Sequence, residues 1–588
     1  MLRNIIILAV LAVILALPFA FRQDLGAREW QPGDPVLVII TPMNEAIRYE
    51  FAQGFSRWHT ARYGQPVKVD WRNIGGSTEI MRYLASEFTA SFRAWWTGQG
   101  GAWRPDAQSI ILSRTFSSER RPADISDADW AAQCALFNAF RQTDDPHKFT
   151  SQIDLMFGGG SFDGDNATRQ GLLVPPWAQG EIPPGLIATA DGAELIPTGL
   201  SGDTWRTPTY FGTTLSTFGI CYNRDRMRAQ HIAAEPRQWE DLANPQWFGT
   251  LGLADPTKSG SIAKAFETVV QVQCRRAVIA AGYGEQIDDF EQQIAAAKLP
   301  DGEMPPGVPA AYQEAVAAGW ENGVRLIQKF GANARYFTDS ASKVPLDVGM
   351  GNAAAGLCID FYGRFEADVS NGGRPDGAMA YVTPVGESGV SADPVSLLRG
   401  APHRELALRF IEFTLSEAGQ QLWCYRRGAP GGPQQYSLQR FPIRRDFYPA
   451  ANPQFQANYE RHREFTTDDL GQPHTDMYRL AHDFPYQARW TGGYFGLFRD
   501  LIRAMCMDSG RELHAAWGAI IAAGGPEKCP RAMAALERLP QEPEPLTWAS
   551  GLSMGRKYDR LDLLRDWTLH FRAQYAAAAR LAKEEGRP

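Results

Sequence analysis

From about residue 35 to residue 430 the chain repeats one grammar: a short apolar run, a small or polar tip, then a stretch whose apolar positions fall three or four apart. Residues 36–41 (VLVIIT) read as a buried strand, and Ile47, Phe51, Phe55 and Trp58 behind it share one face of a helix over 44–58. The unit recurs at 67–71, with a helix starting near Gly76, and at 153–157, 215–222, 250–254, 355–361 and 379–383. Strands alternating with helices at this spacing predict an α/β sheet architecture. Residues 86–150 break the pattern with Trp95, Trp96, Trp103, Arg120, Arg121 and an acidic run, and read as an inserted subdomain or lid. Beyond Pro430 the strands stop and helical periodicity takes over at 493–506, 511–523, 530–538 and 557–584. The Pro-rich stretch 539–546 reads as a linker and 551–555 (GLSMG) as a loop. Tyr558, Leu561, Leu564, Trp567, Phe571 and Tyr575 read as one buried stripe. The division that follows is 1–34, 35–435 and a mainly helical 436–588.

Charge and composition narrow the function classes. With 59 Lys and Arg against 66 Asp and Glu in 588 residues, and no basic stripe, the chain offers nucleic acid no electrostatic footprint. Arg3 followed by the apolar run 5–21 reads as a secretory leader or a retained membrane anchor, which places the rest outside the cytoplasm. The seven cysteines are scattered, with no C-x-x-C pair, so neither a metal-thiolate site nor a cofactor is expected. Cys506 and Cys529 are candidates for a local disulfide, and Cys221 and Cys358 read as small buried hydrophobes.

Four strand ends carry tips suited to a ligand. In open α/β sheets ligands sit beyond the carboxyl ends of the strands, where helix N-termini present unpaired N–H groups. The candidate residues are Asn44, then Gly75, Gly76 and Ser77, then Gly159, Gly160 and Ser161, then Ser259, Gly260 and Ser261. Arg48 and Lys258 add positive charge, and Thr213, Thr214 and Ser216 fall near a strand that can reach a cleft. Together these favour a small oxyanion such as a phosphate ester, phosphonate or carboxylate. No catalytic group is assigned: Ser161, Asp393 and His403 are the types of a hydrolytic triad, but Ser161 lies in no G-x-S-x-G elbow and His403 opens an amphipathic helix.

Over 44–59, 74–84, 154–173, 214–227, 239–261, 351–366 and 394–423 the chain resembles the ferric-iron-type branch of the periplasmic solute-binding proteins. The stretches WEDLANPQW and ADPTKSGS carry that resemblance most specifically. It covers roughly 35–435 apart from 86–150. It implies a two-lobed type II periplasmic binding protein, a Venus flytrap, that captures a small solute for the permease of an ABC importer and catalyses nothing. Iron-binding relatives use adjacent tyrosines where this chain has Phe361-Tyr362, so half of that donor pair is missing; Glu45, Asp360 and Tyr362 remain as oxygen donors for an Fe(III) alternative. A second alternative is a membrane-anchored sensor or adaptor on the same fold, if residues 5–21 are retained.

Overall fold

The computed structural model describes residues 30–178, 181–299, 303–374, 376–467 and 475–586. The 5–21 run, and with it the choice between leader and anchor, lies outside the described residues. Among those described, no helix is long and apolar enough to cross a membrane.

The strands in chain order are β1 (Val36–Ile40), β2 (Lys68–Arg72), β3 (Leu155–Phe157), β4 (Leu173–Val174), β5 (Gly199–Leu200), β6 (Asp203–Thr204), β7 (Tyr210–Ser216), β8 (Phe218–Asn223), β9 (Leu251–Ala254), β10 (Ala334–Thr338), β11 (Ala355–Ile359), β12 (Met379–Val382), β13 (Ser391–Leu398) and β14 (Phe441–Pro442). One sheet runs β14-β7-β13-β3-β1-β2 with β4 on β13, and the other runs β10-β9-β11-β8-β12. β1 is parallel to β2 and β3, and β13 runs antiparallel to β3 and β7. In the second sheet β9, β10 and β11 are parallel while β8 opposes β11 and β12. β3, β9 and β11 are buried throughout, which is why they appear in the sequence as continuous apolar runs.

The apolar run 215–222 is not one strand. β7 ends at Ser216 in the first sheet and β8 begins at Phe218 in the second, with Thr217 between them. The Thr217 N–H and hydroxyl both donate to Asp360 Oδ2, at 2.8 and 3.1 Å, so the break is held by a buried carboxylate. The chain returns to the first sheet between β12 and β13. The molecule is therefore a two-lobed α/β protein whose lobes are joined by crossing segments.

The helices that matter here are α1 (Glu45–Tyr63), α2 (Ser77–Gly98), α3 (Ala107–Ile111), α4 (Asp127–Arg141), α5 (Ser161–Arg169), α6 (Gly260–Ala280), α7 (Ala310–Asn333) and α8 (Asp360–Asn371). α2 runs unbroken into the 86–150 region, and Phe88, Phe92, Ile110, Leu136 and Phe140 share a buried cluster with Val38, Ile40 and Met156 of the first sheet. That region packs as a covering layer on the sheet. Among the described residues, none of it lines the cleft described below.

Beyond Pro430, β14 adds one short strand to the edge of β7, and the helices that follow include α9 (Phe495–Ile502), α10 (Gly510–Ala522), α11 (Pro530–Leu536), α12 (Trp548–Lys557) and α13 (Arg560–Glu585). The 551–555 stretch is helix rather than loop: Thr547 and Ser550 form a capping box that starts α12 ahead of it. The buried stripe of α13 is Leu563, Trp567, Phe571 and Tyr575, at strict four-residue spacing, while Leu561 is 76% exposed. These helices sit on the second lobe. Gln328 Nε2 of α7 donates to Leu536 O at 2.9 Å and to Tyr575 Oη at 2.8 Å, and Trp517 Nε1 donates to Asn333 Oδ1 at 2.8 Å. Cys506 and Cys529 are separate, buried free thiols, so the expected disulfide is absent.

Candidate functional site

A cleft of about 680 Å³ separates the lobes, and three helices aim their N-termini into it: α2 and α5 from the first lobe and α6 from the second. Gly76 and Gly160 cap α2 and α5 without a side-chain hydrogen bond, while Ser259 Oγ accepts the Ile262 N–H of α6. The lobes touch at these tips. A Cβ on Gly76 would lie 2.9 Å from Lys258 O, and one on Gly260 would lie 2.8 Å from Ser77 Oγ, so glycine is what lets the two loops approach.

Asn44, Gly75, Gly76, Ser77, Gly159, Gly160, Ser161, Ser259, Gly260, Ser261 and Tyr362 all line this cleft, as does Lys258. Asn44 also accepts the Ile47 N–H to cap α1. Burial pushes the Tyr362 hydroxyl up to about 12. Three candidates lie elsewhere. Glu45 is exposed in the first turn of α1, outside the cleft lining. Thr214 is buried in the first sheet with its hydroxyl donating to Phe441 O at 2.7 Å. Asp360 is buried beneath the crossing, accepting from Thr217 and from the Phe361 N–H, and burial raises its carboxyl to about 6. Thr213 and Ser216 are likewise buried, bonded to Asp393 O and to Arg440.

The charge lining the cleft is mostly negative. Glu79, Asp163, Asp165, Asp203, Glu267, Asp339 and Asp393 face it, against Lys258 and Lys264. Asp203 is 9% exposed; its Oδ1 accepts the Ser161 hydroxyl at 3.2 Å and its Oδ2 has no hydrogen-bond partner. Burial lifts its carboxyl to about 6 against the opposing pull of Lys264. Lys264 Nζ lies 3.0 Å from Glu267 Oε2 and 3.6 Å from the centre of the Tyr486 ring. Burial alone would depress this ammonium, but Glu267, Tyr486 and Asp203 outweigh it and hold it above its ordinary value. Glu267 also accepts from the Tyr486 hydroxyl at 2.7 Å and from Thr491 Oγ1 at 2.6 Å. Asp163, in the first turn of α5, accepts from Ser77 and from the Gly160 backbone, and burial raises its carboxyl. The place where an oxyanion would meet α2 and α5 thus already holds a carboxylate of the chain itself.

Sequence reasoning passed over Asp163 and Asp165 inside a stretch it had singled out, and missed Asp203, Lys264, Glu267 and Tyr486. Only the position of Lys264 and Glu267 one and two turns into α6, behind the Ser259–Ser261 tip, was a signal that could have found two of them. The imagined triad does not assemble. Ser161 bonds Asp203, His403 Nδ1 lies 3.0 Å from Asp154, and Asp393 pairs with Arg440. Among the described residues no group of three or more His, Cys, Asp or Glu is arranged to hold a metal ion.

Residues 182–449 match the family model described as bacterial extracellular solute-binding protein. This segment is similar to that family, and it makes up less than half of the chain. The matched segment contains both lobe crossings and the whole second sheet, and it takes in the stretches 214–227, 239–261, 351–366 and 394–423 that carry the resemblance, while 44–59, 74–84 and 154–173 lie outside it. An uncharacterised protein of Haemophilus influenzae is 22% identical over 208 residues, 35% of this chain and 45% of that one, so the chain spans less than half the length of this curated relative. Among solved structures, the periplasmic binding protein AfuA of Actinobacillus pleuropneumoniae, with fructose-6-phosphate bound, is similar at 14% identity, 76% and 95% coverage of the two chains and a TM-score of 0.42. The substrate-binding protein of an ABC transporter from Agrobacterium tumefaciens is similar at 12% identity, 82% and 96% coverage and a TM-score of 0.43. The apo ferric ion-binding protein A of Pasteurella haemolytica is similar at 12% identity, 73% and 96% coverage and a TM-score of 0.38.

Proposed function

We propose that the chain is the solute-binding component of an ABC importer, acting outside the cytoplasm, and that its cleft takes a small solute carrying at least one ammonium group. The observation that carries this reading is Asp203, a buried carboxylate that lines the cleft with one oxygen unpartnered. A buried polar atom without a partner is costly, and a charge-assisted hydrogen bond from a solute ammonium satisfies it. Asp163 and Asp165 on α5 add negative charge, and the aromatic rings of Phe162, Tyr362 and Phe495 line the same cleft. Carboxylates among aromatic faces favour an organic cation. The expected anionic solute is disfavoured by the same residues, since Asp163 stands at the helix N-termini where its oxyanion would bind.

Thermal unfolding of the purified chain with putrescine or spermidine, set against inorganic phosphate, glycerol 3-phosphate and Fe(III), tests the reading by mass action. Stabilisation by at least one amine, lost in Asp203→Asn, is the expected result. Stabilisation by a phosphate ester and by no amine would overturn it.

A further inference from the structure

The helices after residue 484 are anchored on the second lobe yet reach the first at three places along the cleft. The Tyr486 N–H donates to Ser201 O at 2.7 Å, next to the β5–β6 hairpin that carries Asp203. The Phe495 ring lies 4.7 Å, centre to centre, from Phe162 at the start of α5. Arg499 then spans both lobes with one guanidinium: Nη2 donates to Thr78 Oγ1 in the first turn of α2 at 2.9 Å and to Thr257 O in the second lobe at 2.7 Å, and Nε donates to Pro256 O. Asp163 and Asp255 supply negative charge around it. On the second lobe, Gln271 Nε2 donates to Gln487 O and to Thr491 Oγ1, both at 2.8 Å, and Arg489 pairs with Glu291 at 2.5 Å.

Opening the cleft by rotation about the two crossings separates Thr78 from Pro256 and Thr257, so Arg499 must release one side. A planar guanidinium with five donors suits such a bridge, because its bonds to acceptors on two bodies share one rigid group. From these contacts we propose that the C-terminal helices form a third jaw of the clamp, and that Arg499 is the positioning residue that holds this jaw, and with it the two lobes, closed over the cleft. The inference rests on reading the cleft as a solute site but is independent of the charge of the solute. It gives residues 484–499 a part in binding, since Tyr486 holds Glu267 by its hydroxyl and Lys264 by its ring face.

The test uses the full chain without solute. Arg499→Ala removes the bridge, and Thr78→Val removes only the acceptor on the first lobe while keeping shape. Small-angle X-ray scattering is expected to show a larger radius of gyration for both variants. Amide exchange at 75–78 and 258–261 is expected to be about tenfold faster, the loss of one charged hydrogen bond. Far-ultraviolet circular dichroism unchanged from the parent shows that the fold is kept. Scattering and exchange indistinguishable from the parent in Thr78→Val would overturn the proposal, even if Arg499→Ala misfolds. Putrescine titrated into the parent separates the two readings. If no amine binds while both variants open, the cationic solute is wrong and the third jaw stands. If putrescine binds the parent but neither variant opens, the jaw is wrong and the solute reading stands.

Discussion

The Arg440 guanidinium lies 3.9 Å from the centre of the Phe361 ring. Fully buried, Arg440 also pairs with Asp393 and donates to Ser216 Oγ at 2.6 Å. Phe361 therefore serves as an apolar platform for a buried cation. That arrangement joins β13, β7, α8 and residue 440 beneath the cleft.

Removing one member of such a pair strands the other in the interior. Arg440→Ala is expected to lower stability by about 3–5 kcal/mol in urea unfolding, because Asp393 is left buried without its partner. Arg440→Ala combined with Asp393→Asn should recover part of that loss. Additive losses would show that the two groups act separately.

Glu50 of α1 is fully buried and its carboxylate accepts three backbone N–H groups, from Gln434, Gln435 and Tyr436, at 2.6–2.8 Å. Glu50→Gln keeps the size but turns one acceptor oxygen into a donor facing donors. A loss of about 1–3 kcal/mol is expected, with faster proteolysis near residues 430–436 as the local readout.

The pH dependence follows from Asp203. Its folded-state carboxyl is raised to about 6 from 3.8, so the folded form holds the proton more tightly than the unfolded chain. The stability this contributes is complete below pH 3.8 and is lost as the pH rises through about 6. Asp203→Asn should accordingly be more stable than the parent at pH 7.5, with the gap closing below pH 4. Amine binding runs the other way, since the ion pair needs the carboxylate. The affinity for putrescine should fall as the pH drops through about 6, and the variant should show no such step.

The strand-and-helix order was legible because each element is local: Val36–Ile40 and the helix behind it announce themselves within thirty residues. The tips at Gly76, Gly160 and Ser259 were legible for the same reason, since a glycine or serine before an amphipathic run marks a helix start. The split at Thr217 was not, because apolar residues continue across it and the group that breaks the strand, Asp360, lies 143 residues away. Tyr486 was invisible for a related reason. It stands in an irregular segment, and its partners Glu267 and Lys264 are brought to it only by the packing of the C-terminal helices on α6 and α7. Asp163 and Asp165 were passed over because the helix N-termini were weighed without the acidic residues beside them.

Thiol chemistry checks the C-terminal packing. Cys221, Cys274, Cys358, Cys424, Cys506 and Cys529 are buried, and Cys134 alone is partly exposed. Titration of the native chain with a thiol reagent should label Cys134 and reach the other six only on unfolding, and Cys134→Ser should abolish the fast phase. Fast reaction of a second thiol would mean that the helices carrying Cys506 and Cys529 leave the second lobe in solution.

Gly202 offers the sharpest probe of how the extension meets the first lobe. It turns the β5–β6 hairpin at a φ of +85°, a conformation that costs a residue with a Cβ about 1 kcal/mol or more. A Cβ built there would lie 1.9 Å from Tyr486 O, so alanine must also push the 484–490 segment outward. That shift takes the Tyr486 ring from Lys264 and its hydroxyl from Glu267, loosening the charged wall of the cleft as well as the backbone contact to Ser201. Gly202→Ala is expected to lose about 2–4 kcal/mol in urea unfolding and to expose 484–490 to limited proteolysis. Tyr486→Phe, which keeps the ring over Lys264, should lose only the hydroxyl bond and remain protected. Equal protection in Gly202→Ala and the parent would show that the 484–490 segment does not lie against the hairpin in solution.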